Sequence, residues 1–559
     1  MSNKIINLNI NGMTCSGCSS HIEKDLNVKD GIVSSIVNHE TGKGEFVYDS
    51  NKLSNQDVIN AVNNVGNYLV IEDIEKEDCC VTNAKDYDGK NKFDLIVIGG
   101  GSAAFSAAIK AESIGLTTLM VNDGLDFGGT CVNVGCVPSK NLIRAAETAY
   151  HATHSNFKGI KPKGVEIDFT QIIKDKKALV ATLQQHKYID VVSDFKNLTM
   201  LKGWAEFVDN KTILVDGKDT YTATNIIIAT GATTNIPNIE GLNKVGYLTN
   251  VSLFDLEEKP KSLTIMGAGY IGLEIAMAYN RLGVKVRIIE FTDRPLRSQT
   301  NDITDVLEVQ MISEGIEILP NFRAIKFEKD GDNTIIHCKC PDGSTTQIIE
   351  EGHIIVATGT KPNTSKLSLE NIDLNLTEKG HILVNEKMET NISNIYAAGD
   401  VTNTPPFVYT AAKEGSTAVN NAFSLSKNSV DYISLPWVVF TDPQIAGAGM
   451  DEVEAEKAGI PFEVSKLDLI HVPRALAAQD TRGFIKLIRN PETDKLIGAR
   501  VIAPEGGELI QQLSMAIKFG ITVKDLAESF YPYLTLGEGI KLAAITFGKD
   551  VSKLSCCAS

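Results

Sequence analysis

The chain has 559 residues, 43% of them hydrophobic and 22% charged, with a formal net charge of −16. That length exceeds what one hydrophobic core organises, so several domains are expected. The acidic balance, with no basic face, argues against a nucleic-acid partner. No run approaches the ~18 consecutive apolar residues of a membrane span. The opening segment, Met1 to Ile10, alternates apolar and polar residues where a signal peptide would have an unbroken apolar core, so a cytoplasmic protein with no membrane insertion is expected. All ten cysteines have a close cysteine neighbour: Cys15/Cys18, Cys79/Cys80, Cys131/Cys136, Cys338/Cys340 and Cys556/Cys557. In a reducing compartment, pairing of this kind points to metal or redox chemistry before structural disulfides.

In chain order, residues 1–72 read as one small domain. The pattern predicts strands at Ile6-Leu8-Ile10, near Ile32 to Val37, near Gly44 to Tyr48 and at Tyr68 to Ile71, with helices over Ser16 to Leu26 and Asp57 to Val65. The order is βαββαβ, a ferredoxin-like arrangement. Between the first strand and helix lies Asn11-Gly12-Met13-Thr14-Cys15-Ser16-Gly17-Cys18, whose two thiolates can hold a soft ion without further ligands. This segment resembles the heavy-metal-associated domain, which implies metal capture by Cys15 and Cys18. Zinc is disfavoured because no second Cys-x-x-Cys or His pair completes four ligands. Copper fits the pair as well as any other soft ion, so the domain does not name its metal. Residues 73–92, acidic and poor in large apolar side chains, read as a linker. Cys79 and Cys80 within it are either a further relay or simply exposed thiols.

From Phe93 the pattern changes to short apolar strands followed by glycines and helices. Phe93-Asp94-Leu95-Ile96-Val97-Ile98 runs into Gly99-Gly100-Gly101-Ser102-Ala103-Ala104. There Gly99 permits the tight turn, Gly101 lets a pyrophosphate approach the backbone and the small Ala104 allows close helix packing. The acid expected at the end of the next strand is missing, since Val121 leads to Asn122 and Asp123. Gly128-Gly129-Thr130-Cys131-Val132-Asn133-Val134-Gly135-Cys136 follows and opens a helix. Two thiols near a helix N-terminus can share a disulfide or a metal with lowered pKa, the alternative being a buried structural pair.

A second fingerprint, Gly267-Ala268-Gly269-Tyr270-Ile271-Gly272, follows the strand Ser262 to Met266. After the next strand comes Glu290, placed for a ribose 2′-hydroxyl and so favouring NADH. Arg294 and Arg297 just beyond suit a 2′-phosphate, so the coenzyme stays open. Cys338 and Cys340 alternate in a predicted strand and face one side, where packing is the favoured role.

Over about Phe93 to Phe547 the chain resembles the pyridine nucleotide-disulfide oxidoreductases. The resemblance is carried by the cysteine motif through Pro138-Ser139-Lys140 and by Ala229-Thr230-Gly231, Ala357-Thr358-Gly359 and Asn394-Ile395-Tyr396-Ala397-Ala398-Gly399-Asp400. It implies an α/β chain with two Rossmann-like nucleotide-binding domains, one inserted in the other, and an α+β dimerisation domain. The corresponding segments are 93–250 and 376–430 for FAD, 251–375 for NAD(P)H, 431–548 for dimerisation and 549–559 as a tail. It further implies FAD contacts at Gly99, Gly101, Ala104, Gly129, Thr130, Lys140, Ala205, Asp400 and Val408, and coenzyme contacts at Gly267, Gly269, Gly272 and Glu290. Cys136 would face the flavin, Cys131 would meet substrate, Lys140 and Glu274 would pair near the flavin, and Tyr270 would gate the nicotinamide site.

Members that reduce disulfides carry a proton-moving histidine five residues before a glutamate. Here Tyr531-Pro532-Tyr533-Leu534-Thr535-Leu536-Gly537-Glu538 places Tyr533 at that position and keeps Glu538. A tyrosine is a poor proton shuttle at pH 7, although its hydroxyl can support a metal-thiolate complex. The tail Leu554-Ser555-Cys556-Cys557-Ala558-Ser559 adds two thiols suited to handing over a soft ion, unless they are incidental or lipidated. Together these features resemble the mercuric reductase branch of the family. That resemblance implies Hg(II) as substrate, reduced to Hg(0) with NADPH, or NADH, through FAD. It also implies a homodimer whose tail thiols serve the partner's redox pair. Small thiol-mercury complexes, or a mercury transporter or other thiol carrier, would deliver the ion. A dihydrolipoyl- or glutathione-type reductase with an accessory metal domain, and a copper-trafficking protein, are the rival readings.

Overall fold

Alternate apolar residues fold the N-terminal segment into a sheet with one dry face. In the computed structural model, which describes residues 3–11, 16–39, 42–65, 69–71 and 91–550, strand Asn3–Asn11 is central. It pairs antiparallel with Lys43–Asp49 on one side and with Leu69–Ile71 on the other, and Ile32–Asn38 forms the edge. Leu8, Ile10, Phe46 and Tyr48 meet Ile22 and Leu26 of helix Ser16–Asn27 and Val58 and Val62 of helix Asn55–Asn63. The second helix starts at a capping box in which Ser54 accepts from the Asp57 amide and the Asp57 carboxylate accepts from the Ser54 amide. This is the expected βαββαβ order. Cys15 and the side chain of Cys18 lie outside the described residues, as do Cys79, Cys80, Cys556 and Cys557.

The chain divides into two compact units, Met1–Cys80 and Val81–Ser559. In the second, the runs Leu95 to Ile98 and Ile226 to Ile228 are buried throughout, as strands covered on both faces must be. They lie side by side and parallel in a sheet ordered Leu198–Lys202, Thr118–Asn122, Lys92–Ile98, Asp219–Ile228, with Ile395–Ala397 also pairing to Asp219–Ile228. An antiparallel meander not foreseen in the sequence, Ala205–Phe207 and Thr212–Val215, extends the same sheet. Strands at both chain ends of the sheet enclose a second parallel sheet, ordered Glu317–Leu319, Lys285–Ile289, Ser262–Met266, His353–Val356. Where the chain leaves for that sheet and returns from it, Ala232–Thr234 pairs antiparallel with Thr360–Pro362.

A five-stranded antiparallel sheet, Trp437–Val439, Gln444–Gly449, Leu496–Ala503, Phe484–Arg489 and Glu463–Asp468 in spatial order, completes the unit with helices Gly506–Lys518 and Glu538–Ile545. Cys338 is buried among Ile336, Phe327 and Ile348, in line with a packing role. Among the described residues no helix is long and apolar enough to cross a membrane.

Candidate active site

Three glycines shape the first cradle. Gly99 has φ +131°, and a Cβ there would stand 2.1 Å from the Ala229 carbonyl oxygen. Gly129 has φ +64°, and its Cβ would stand 2.5 Å from the Gly101 Cα. Two loops therefore touch backbone to backbone, with the Gly128 amide donating to the Gly100 carbonyl at 2.7 Å. Gly101 precedes helix Ser102–Ser113 and offers no side-chain cap, so the first-turn amides point into the cradle as an anion site. Asn122 sends its amide to the Leu125 carbonyl at 2.8 Å. Asp400 follows Gly399, whose amide donates to buried Glu414 at 2.7 Å. Burial, with the Glu414 charge adding to it, pushes the Asp400 carboxyl above its usual range. Ala205 is buried in the meander and Val408 opens helix Val408–Phe423.

Cys131 sits on the short helix Gly129–Asn133, and Cys136 is the first residue of helix Cys136–Thr153. A hydrogen bond from the Cys131 thiol, aided by the Lys140 charge and opposed by burial, brings the Cys136 thiol down to about 7. Cys131, the donor of that bond and itself partly buried, is pushed up. One thiolate at neutral pH is thus assigned to Cys136. Lys140, one helical turn on, reaches Glu274 Oε2 at 2.7 Å and lies 4.5 Å over the Phe440 ring. Glu274, only 7% exposed, accepts the Phe440 amide at 2.9 Å with its other oxygen. The structure therefore gathers Cys131, Cys136, Lys140 and Glu274.

Tyrosines that the sequence reading passed over stand near them. Tyr188 lies in a π-helical turn, Gln185–Ile189, of the kind that often marks a functional position. Its hydroxyl is 3.1 Å from Ser102 Oγ, its ring meets Phe105 edge-on at 5.0 Å, and burial followed by the charges of the two thiols raises its pKa. Burial, then the charges of Cys136 and Tyr270, push Tyr409 up to about 12, and its hydroxyl donates to the Pro436 carbonyl. No spacing in one sequence flags Tyr188. Tyr409 adjoins Val408 at a helix start, which was a usable signal.

At the second fingerprint, Gly267 has φ +104° and a Cβ there would stand 2.5 Å from the Ala357 carbonyl oxygen. Gly272 lies against the Gly267 carbonyl, whereas the space at Gly269 is open. Tyr270 begins helix Tyr270–Arg281. Glu290 is buried, and its carboxylate accepts from the Ala268 amide, the Thr292 amide and the Thr292 hydroxyl, each at 2.7 Å. The ribose contact expected of Glu290 thus competes with bonds that shape the loop. Arg294 is turned to the Gln299 carbonyl at 3.0 Å, while Arg297 is 62% exposed, with Asp293 at 3.6 Å.

Tyr533, 53% exposed, lies on the loop before helix Glu538–Ile545. Glu538 is buried and accepts the Leu534 amide at 3.4 Å, which shapes that loop. Among the described residues no group of three or more His, Cys, Asp or Glu side chains is arranged to hold a metal.

Residues 93–415 match the pyridine nucleotide-disulphide oxidoreductase family, 435–544 its dimerisation domain and 7–67 the heavy-metal-associated domain. The chain is 39% identical to a mercuric reductase of Staphylococcus aureus, with 98% of each chain covered, and 37% identical to one of Lysinibacillus sphaericus, with 99% of each covered. Among solved structures it is similar to the HOCl-induced flavoprotein disulfide reductase RclA of Escherichia coli in a Cu(II) complex. That likeness has 27% identity and a TM-score of 0.73, covering 82% of this chain and 100% of that one.

Proposed function

The chain belongs to the mercuric reductases, within the pyridine nucleotide-disulphide oxidoreductase family, and from that premise we propose which of its residues hold, orient and reduce the metal ion. It is an NAD(P)H-dependent flavin oxidoreductase using FAD and NADPH, with a dimerisation domain and a heavy-metal-associated domain. The first cradle suits FAD, because Gly99 and Gly129 let backbones close up where a Cβ would collide, the space at Gly101 is largely open, and the uncapped helix at Ser102 offers its amides to phosphates. In our reading Thr130, Ala104, Ala205, Asp400 and Val408 complete that site. FAD, when bound, supplies the two-electron relay between reduced nicotinamide and the metal site.

The observation that carries the residue assignment is the Cys136 thiol brought to about 7 beside the Lys140–Glu274 pair. Hg(II) is the substrate. Cys136 and Cys131 bind it as thiolates, and Lys140 offsets the charge gathered there. The Tyr188 hydroxyl, which feels the charges of both thiols, supports the complex by hydrogen bonding. Two electrons convert Hg(II) to Hg(0) as both sulfur–metal bonds break, and no proton has to move at the metal. That accounts for Tyr533 where thiol-reducing members have a histidine. Tyr533, with its loop shaped by Glu538, serves the partner subunit's pair in the homodimer. Cys15/Cys18 capture the ion and Cys556/Cys557 pass it on. Small thiol-mercury complexes, or a transporter or thiol carrier, supply it in the cytoplasm. We take the domain limits to be 1–72, 93–250 with 376–430, 251–375 and 431–548, with 73–92 and 549–559 as linker and tail.

The test is Hg(II)-dependent NADPH oxidation by flavin-loaded protein in excess thiol, with volatile mercury collected. Turnover of disulfides without mercury release would sink the assignment. The Cu(II) complex of the structural relative is reason to run Cu(II) beside Hg(II) in the same assay.

A further inference from the structure

The chain has two tryptophans. One of them, Trp437, lies flat against Tyr270, with ring centroids 5.9 Å apart and planes 12° from parallel. The partners come from different modules, since Tyr270 begins the helix after the second glycine loop and Trp437 begins an edge strand of the antiparallel sheet.

The indole is held from below by backbone. Trp437 pairs with Gly447 across the strands, and a Cβ at Gly447 would stand 2.3 Å from the indole Cζ2 and 2.5 Å from Cε2. Only glycine lets the ring lie there. On the next strand Arg500 pairs with Gly447, and its guanidinium is 5.6 Å from the indole centroid. Arg500 is buried and donates to the carbonyls of Ala448, Gly449 and Ala499, so this neighbour is fixed as well. Burial raises the pKa of Tyr270 above the usual tyrosine value. The tyrosine ring thus lies against a rigid aromatic ledge.

We propose that Trp437 is a positioning residue for the coenzyme site. Its stack holds Tyr270 in the coenzyme-free place, and binding of the nicotinamide breaks the stack. The inference rests on the reading of Tyr270 as the residue that yields to nicotinamide. A stacked aromatic pair favours the closed arrangement by an amount that coenzyme must overcome, so losing the stack tightens coenzyme binding.

The test uses flavin-loaded Trp204→Phe enzyme, in which Trp437 alone emits, titrated with NADP+, which does not absorb where indole emits. Trp437 emission is expected to change saturably, with the Kd that calorimetry gives. Trp437→Leu is expected to lower that Kd roughly three- to tenfold with kcat unchanged, and Trp437→Phe to restore it to within about twofold. If Tyr270→Leu alters coenzyme binding while Trp437 emission stays silent and Trp437→Leu leaves Kd unchanged or raises it, the inference is overturned and the gate reading stands. If Tyr270→Leu changes neither Kd nor kcat, the gate reading fails and the inference with it. Should Trp437→Leu not fold, the emission titration decides alone.

Discussion

Lys140 and Glu274 meet at 2.7 Å, and the Glu274 oxygen not used by Lys140 takes the Phe440 amide. One carboxylate therefore joins the thiol helix, the coenzyme-domain helix and the segment leading from the antiparallel sheet. Lys140 lowers the Cys136 thiol and Glu274 raises it, so their removal has opposite signs. In reduced enzyme the flavin-thiolate charge-transfer band is expected to grow as pH rises through about 7, the value at Cys136. Lys140→Met should move that midpoint up and Glu274→Gln should move it down, each by up to about one unit. A pH titration of the band in dithiol-reduced holoenzyme checks both, and midpoints moving in the same direction would refute the assigned charges.

The largest influence on Cys136 is the hydrogen bond from Cys131. Cys131→Ala should keep the charge-transfer band but shift its midpoint upward, and Cys136→Ala should abolish it. Both should reduce Hg(II)-dependent NADPH oxidation by about two orders of magnitude or more. A band that survives in Cys136→Ala and vanishes in Cys131→Ala would reverse the roles.

Coenzyme choice is expected to reside in Arg297 more than in Glu290. Arg297 is largely exposed, whereas Glu290 is bonded to the Ala268 and Thr292 amides. Arg297→Ala should raise the KM for NADPH about tenfold and leave that for NADH nearly unchanged, the effect shrinking at high salt. Glu290→Ala strips the buried Ala268 amide and the part-buried Thr292 amide of their acceptor, at about 1–3 kcal/mol for the buried one, and should show first as a lower melting temperature. Equal KM changes for both coenzymes in Arg297→Ala would count against a 2′-phosphate contact.

The proposal that the two subunits share their sites is tested by hybrids. A Cys131→Ala chain and a Tyr533→Phe/Cys556→Ser/Cys557→Ser chain should each form weakly active dimers. Mixed one to one after dissociation, half the dimers are hybrids with one intact site of two, giving about a quarter of full turnover. Activity no higher than the mean of the parents would mean that each site is built within one chain.

Much of this was readable from residue order. The glycine loops, the Cys131/Cys136 spacing and the alternating strands of the small domain are local patterns, and local patterns survive in a sequence. The Lys140–Glu274 pair required the resemblance, because 134 positions separate the partners. Tyr188 was not legible, since its place depends on a π-helical turn and on contacts with Ser102 and Phe105. Glu290 shows a role that the sequence did not reveal. Its position after the strand marks it for ribose, and its buried carboxylate also accepts from nearby amides. Trp437 had no motif around it, and its meaning arises only where Gly447 leaves room for the ring.

The strand Ile395–Ala397 pairs with Asp219–Ile228, whose last residue precedes it by 167 positions. On a ribosome adding about 5–20 residues per second, the flavin-side sheet waits roughly ten to thirty seconds for that strand, while the whole coenzyme module is made in between. Throughout that interval one edge of Asp219–Ile228 carries unpaired backbone groups, a template for wrong partners. The inserted module, with its own parallel sheet and with both its ends clasped by Ala232–Thr234 and Thr360–Pro362, has time to fold first and to deliver the late strand beside its partner. Newborn chains shortened within the insertion should therefore aggregate more than chains stopped after residue 415, which makes synthesis speed a determinant of yield for this architecture.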